Sequence, residues 1–244
     1  MHRFFASSED IHENRIILSA DNQKHLRVLR LQRNEHFIVC DGNSVDYICK
    51  HNEQGEGFAE IVAQRVTQGE PKIKCSVYLA YAKGDRLDYA VQKSVELGAC
   101  AIILFPAKRC ISVPVNLTSK LMRLQKIALE AAKQCGRGIV PQVTSENSFE
   151  SAIKNAATCD LSLFCYESEA ENGIVSALNA AKIQGKCLNT ISIITGPEGG
   201  FEEREAALAL NSGCRVCTLG TRILRCETAP IVALTIIMHR FDYM

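Results

Sequence analysis

Residues 191–208 read ISIITGPEGGFEEREAAL and divide into three pieces. Ile191–Thr195 is apolar and β-branched and predicts a buried strand. Gly196–Gly200 predicts a turn. A helix opens after it, with acids in its first turn where the helix dipole favours them. A glycine-rich loop between strand and helix lets a ligand approach the backbone closely, and the usual ligand is phosphate. Here Glu198 stands in the middle of the loop and no Lys accompanies it, so a phosphate would be repelled.

Two further loops follow apolar runs nearby: Thr218-Leu219-Gly220, and Leu224 to Ala229. In the latter, Thr228 is placed to cap a last helix, and Pro230 is tolerated in its first turn. Read blandly, all three are ordinary turns, with Gly199 and Gly200 supplying positive φ. Read as a site, they grip a ligand mainly through backbone N–H and C=O groups. Glu198 suits a positive or hydroxyl-bearing molecule, and S-adenosylmethionine, with its sulfonium, ammonium and ribose, qualifies. No GxGxxG after an early strand, Walker A, GxSxG or HExxH motif is present. The final run IVALTIIM is apolar nearly all round, which predicts burial in the core or against a second subunit.

Working outward, residues 71–244 alternate between strand and helix patterns. Strands are predicted at KCSVYLAY, AIILFP, LSLFCY, ISIIT and RVCTL. Helices are predicted from Arg86 to Leu97 behind an Asp85 cap, from Thr118 to Cys135, from Phe149 to Ala157 and from Gly173 to Ile183. Such alternation implies an α/β fold with a mainly parallel sheet and ligands near the carboxyl ends of its strands. Residues 1–70 differ. IILS, HFIVC, VDYICK and GFAEIVAQRV read as short strands, DGN and NEQGEG as turns, and Asn22 to Leu31 as one helix. That is the pattern of a small β-barrel-like module, and TQGEPK places the boundary near Gly69–Pro71.

The chain has 244 residues, 47% of them apolar, enough for a sizeable core. No apolar tract reaches the length of a membrane span, and MHRFFASSED lacks the apolar core of a secretory signal. The twelve cysteines are scattered without a framework, which predicts reduced, mostly buried thiols in a cytoplasmic protein. Cys214 and Cys217 have CxxC spacing, but no second pair or nearby His accompanies them, so no metal site is expected. Net charge is +1, yet residues 71–140 carry 12 Lys/Arg against 4 Asp/Glu. That middle suits an anionic partner such as RNA; solvated helix faces suit it equally.

ITGPEGGFEERE and LGTRILRCETAPIVAL together resemble the RsmE family of 16S ribosomal RNA uracil-N3 methyltransferases, within the SPOUT superfamily. MHRFF, HLRVLRL, KGDRLDYAVQKSVELGA, FPAKRC and KIALEAAKQCGR extend the resemblance along the chain in family order. It implies a PUA-like β-barrel over residues 1–70 that binds RNA. It implies a SPOUT α/β domain over residues 71–244, its end threaded through a trefoil knot. It further implies a homodimer through the knot region and small-subunit ribosomal RNA as partner. By the same resemblance, Thr195, Gly196, Pro197, Glu198, Gly199 and Gly200 form one cofactor segment. Leu219 and Gly220 form a second, and Leu224, Arg225, Thr228 and Ala229 a third. Thr221 and Cys226 depart from the family pattern, where Pro and a small residue such as Thr are frequent.

Methyl transfer to uracil N3 requires loss of the N3 proton and stabilisation of charge on the flanking carbonyl oxygens. Arg225 is the candidate for the charge, although a salt bridge to Glu227 is an equal alternative. Glu227 and Glu130 are candidate bases. Glu130 also belongs to a stripe, Arg123, Lys126, Glu130, Lys133 and Arg137, that reads as a solvated helix face. Arg3, His25, Arg27 and Arg30 are candidate RNA contacts in the first module, and Lys83, Arg86, Lys108 and Arg109 in the second. The competing readings are a phosphate-binding α/β enzyme and a non-catalytic ribosome assembly factor with a degenerate cofactor site.

Overall fold

The structure is a computed structural model that describes residues 1–31, 35–51, 57–169, 171–183 and 188–241. Most of the NEQGEG turn lies outside the described residues. The chain divides into two units: Met1–Glu70 with Ala132–Val140, and Pro71–Ala131 with Pro141–Met244.

The first unit is built on a five-stranded sheet from β1 (Arg3–Phe5), β2 (Arg15–Ile17), β3 (His36–Cys40), β4 (Val45–His51) and β5 (Phe58–Val66), in the order β1-β3-β4-β5-β2. Only the β1–β3 pair is parallel. A register shift at Ile48/Cys49 marks a bulge that bends the β4–β5 ladder. Helix α1 (Ala20–Leu29) starts where the Ser19 hydroxyl accepts the Asn22 N–H at 3.2 Å. It packs Leu26 with Phe4, Ile16 and Phe37 into the core of the curled sheet.

Strand β1 went unanticipated in the sequence pattern, and its Arg3 points inward. The Arg3 guanidinium grips Asp46 in bidentate fashion at 2.6 and 2.7 Å, and Thr67 donates to the same carboxylate. Burial pushes the Asp46 carboxyl up, but the Arg3 and Thr67 bonds outweigh it and hold the group below the ordinary range. Glu70 organises the returning segment: it accepts from the Arg137 guanidinium and from the Gly138 and Ile139 N–H groups. Strand-and-turn patterning carries no signal for that return.

The second unit holds a six-stranded sheet of β6 (Lys74–Ala80), β7 (Ala99–Phe105), β8 (Gln142–Ser145), β9 (Leu161–Cys165), β10 (Thr190–Thr195) and β11 (Arg215–Cys217). The order is β11-β9-β10-β6-β7-β8, and every pair is parallel. Helices α2 (Arg86–Glu96), α3 (Leu117–Cys135), α4 (Phe149–Ala156), α5 (Ile174–Ile183) and α6 (Glu203–Asn211) connect successive strands, and α7 (Thr228–Arg240) follows β11. Strand β8 is an addition to the expected set. It is four residues long, pairs on one side only and shows no continuous apolar run. The chain fills the sheet outward from β6 to β8, then returns to place β10 between β6 and β9. Order therefore reverses between β6 and β10, where open α/β sheets carry their ligands.

Helix α7 buries Pro230, Ala233, Leu234, Ile237 and Met238, a stripe at helical spacing, and leaves Ile231, Val232 and Ile236 only half-buried. Six of the described cysteines are buried free thiols. Cys217 is paired in register with Cys165 inside the sheet, and Cys214 belongs to the core. Among the described residues no helix is long and apolar enough to cross a membrane.

Candidate active site: three loops around one cavity

Phe201 fixes the first loop from below. It is 1% exposed and lies 4.3 Å from Phe164 and 5.8 Å from Phe149 between ring centroids. The following acids have structural work. Glu205 accepts the Glu202 N–H at 2.8 Å, closing a capping box at the start of α6, and the Lys108 N–H at 2.9 Å. Arg109 donates to the Gly199 carbonyl at 3.2 Å. FPAKRC thus braces the loop from the end of β7, with the Lys108 side chain left in solvent.

Gly200 is required by its backbone conformation. Its φ is +67°, in the left-handed region, and its N–H closes a turn on the Pro197 carbonyl at 3.0 Å. A Cβ added there would lie 1.7 Å from Oε1 of Glu167. Glu167, just past β9, therefore lies directly on the loop.

Glu198 has a different environment. One oxygen, Oε1, accepts the Lys83 N–H at 2.8 Å and the Arg86 guanidinium; the other, Oε2, is buried without a partner among the described residues. Burial pushes this carboxyl up, yet the Lys83 and Arg86 bonds hold it below the ordinary carboxylate range. The group is charged at neutral pH and has unused acceptor capacity.

In the second loop, Thr218 closes on itself: its hydroxyl accepts the Gly220 N–H at 3.2 Å and bonds the Gly220 carbonyl at 3.0 Å. In the third, the Arg225 carbonyl accepts the Thr228 and Ala229 N–H groups. Thr228 is the first residue of α7, so the expectation that it caps that helix is corrected: Glu227 holds the cap position, and no side-chain cap bond forms. The Glu227 carboxylate instead accepts the Cys226 thiol at 3.3 Å and lies 3.9 Å from the Arg86 guanidinium. Burial and the bond to Glu227 push the Cys226 thiol up to about 12, so it remains a donor.

The three loops enclose a cavity of about 530 Å³, closed further by Arg86, Cys165, Tyr166 and Glu167. That is within the range of small-molecule and cofactor sites. Thr195, Gly196–Gly200, Leu219, Gly220, Leu224, Arg225 and Ala229 all line it. Thr228 does not, and faces an adjoining groove with Lys83, Tyr89 and Arg225. Of the two candidate bases, Glu227 lines both cavity and groove, whereas Glu130 is on the exposed face of α3 and lines neither. Arg86 belongs to the cavity wall. His25 is half-buried against Phe4, and Arg27 and Arg30 are exposed.

The cavity residues fit S-adenosylmethionine better than a polyphosphate. Three arginines are matched by Glu167, Glu198 and Glu227, and among the described residues no Lys lines the space and Glu198 Oε2 lacks a donor. An ammonium or a ribose hydroxyl supplies that donor; a phosphate oxygen does not. Among the described residues no group of three or more His, Cys, Asp or Glu could hold a metal.

Fold and site define an RNA methyltransferase: residues 69–238 match the family described as RNA methyltransferase domain, and residues 18–64 the RNA methyltransferase PUA domain. The chain is 30% identical to ribosomal RNA small subunit methyltransferase E of Bacillus subtilis, over 90% of this chain and 87% of that one. It is 33% identical to the protein of the same name from Mesomycoplasma hyopneumoniae, over 96% and 98%. The crystal structure of the Neisseria gonorrhoeae protein of that name, bound to S-adenosyl methionine, superposes with a TM-score of 0.85 at 30% identity and 98% coverage of both chains. The chain belongs to the ribosomal RNA small subunit methyltransferase E family.

Proposed function

We propose that this protein transfers a methyl group from S-adenosylmethionine to N3 of one uridine in the 16S RNA of the small ribosomal subunit. The carrying observation is the three-loop cavity with a charged, half-satisfied Glu198 in its wall. When bound, S-adenosylmethionine supplies an electrophilic methyl on a sulfonium. Backbone groups of Gly196–Gly200, Leu219–Gly220 and Leu224–Ala229 hold it, and Glu198 accepts from its ammonium or ribose. Arg86 keeps Glu198 charged and oriented. Cys165, Leu219 and Leu224 keep water off the cavity wall.

Glu227 accepts the N3 proton, and Arg225 stabilises negative charge on a uracil carbonyl; each is worth roughly 10² or more in rate for groups of this kind. Glu130, on its exposed helix face, is the weaker candidate base. Arg27, Arg30, Lys83, Lys108 and Arg109 supply positive charge for the RNA backbone. The half-buried face of α7, with Ile231, Val232 and Ile236, supports a homodimer. Such a substrate places the work in the cytoplasm.

The test is nucleoside mass spectrometry on small subunits from cells lacking the protein, incubated with enzyme and S-adenosylmethionine. N3-methyluridine is the expected product. A methyl on another atom or base would overturn the assignment.

A further inference from the structure

We propose that the open groove beside the cofactor cavity seats the target nucleotide, and that Tyr89 is the platform on which its base stacks. This rests on the methyltransferase reading above. The groove is about 790 Å³ and shares Arg86, Arg225 and Glu227 with the cavity. A molecule in either space therefore touches side chains that wall the other, as a methyl acceptor beside its donor must.

Tyr89 is 48% exposed in the first turn of α2, where its N–H bonds the Asp85 carbonyl at 3.0 Å. Lys93 approaches its ring at 5.8 Å from the centroid. The mount is helical and rigid, and the ring is open to the groove. An aromatic face among cations is the element on which unpaired bases stack in RNA recognition. Lys83, exposed at the groove, suits a flanking phosphate. Asp85 lines the groove at the cap position of α2 without making a capping bond.

The same groove selects the base. The Watson–Crick edge of uracil presents an N–H between two carbonyls, and it asks for an acceptor flanked by donors. Glu227, with Arg225 and Arg86 in the same groove, is such a set. Cytosine presents a lone pair at N3 and would meet the Glu227 carboxylate with repulsion.

Two measurements test this. Small-subunit RNA transcribed with 5-iodouridine, reconstituted into subunits and irradiated with wild-type protein, should crosslink to the tryptic peptide Leu87–Lys93. Tyr89→Ala should raise KM for the subunit about tenfold with S-adenosylmethionine affinity unchanged, and Tyr89→Phe should restore KM. Crosslinks wholly outside Leu87–Lys93, or a Tyr89→Ala enzyme with wild-type KM, overturn the proposal. The crosslink needs no cofactor and no variant, so it decides the groove even where Tyr89→Ala fails to fold. Absence of S-adenosylmethionine binding by the wild type would instead overturn the cofactor reading.

Discussion

Arg86, the first residue of α2, forms an ion pair with Glu198 in the loop after β10, across 112 residues of sequence. Parallel pairing of β6 with β10 brings their carboxyl ends side by side and makes the meeting possible. The pair fixes a carboxylate, one oxygen of which keeps its acceptor capacity, in a glycine loop that would otherwise read as a phosphate cradle.

Glu198→Gln keeps shape and removes charge. Hydrogen bonds to charged groups are worth about 1.5–3 kcal/mol, so S-adenosylmethionine affinity should fall roughly 10- to 100-fold, measured by equilibrium dialysis. Unchanged affinity would detach Glu198 from the cofactor.

Acid should act through the same residue. Burial raises Glu198, while the Lys83 N–H and Arg86 lower it further, so its folded value lies below its unfolded one. Its contribution is complete above the unfolded value and is lost as pH falls through the folded value. Cofactor affinity should hold steady from neutral pH into the ordinary carboxylate range, then decline. In Arg86→Ala the decline should begin at higher pH. An identical acid limb in both proteins would contradict the coupling.

Gly200→Ala meets one firm obstacle: left-handed backbone costs a residue with a Cβ about 1–2 kcal/mol. The new Cβ also falls on the carboxylate end of the exposed Glu167 side chain, which can swing aside. Cofactor affinity should weaken, and Gly200→Ala combined with Glu167→Gly should recover little of it, because the strain remains. Full recovery would mean that φ at this position is unimportant.

How much of this was legible in the sequence differs from piece to piece. β10, its loop and α6 could be read locally because an apolar run, a glycine turn and an acidic helix start each leave their own mark. β1 and β8 were missed: both are short, and β8 lies at an edge without a continuous apolar run. Arg86 and Glu167 could not be assigned to the cavity, since their neighbours depend on strand order, which periodicity does not determine. Arg3 reads as a candidate RNA contact in the sequence because its partner Asp46 lies 43 residues away. The trefoil threading came only with the family resemblance; alternation of strands and helices specifies no knot.

Arg3→Ala tests that inward placement. Removing one partner of a buried ion pair typically costs about 3–5 kcal/mol, so the first unit should melt markedly earlier in calorimetry. A variant with unchanged melting and weakened RNA binding would return Arg3 to the surface role.

Glu227→Gln and Glu130→Gln separate the two candidate bases. The first should lower kcat by roughly 10²–10⁴ with cofactor affinity retained, and the second should leave kcat near wild type, both followed by single-turnover kinetics on small subunits. The reverse pattern would move the proton acceptor to α3.

The most direct test of the whole account is a calorimetric titration of the wild-type protein with S-adenosylmethionine and, separately, with ATP. One S-adenosylmethionine per chain with no ATP uptake is the predicted result. ATP binding that S-adenosylmethionine fails to displace would contradict it.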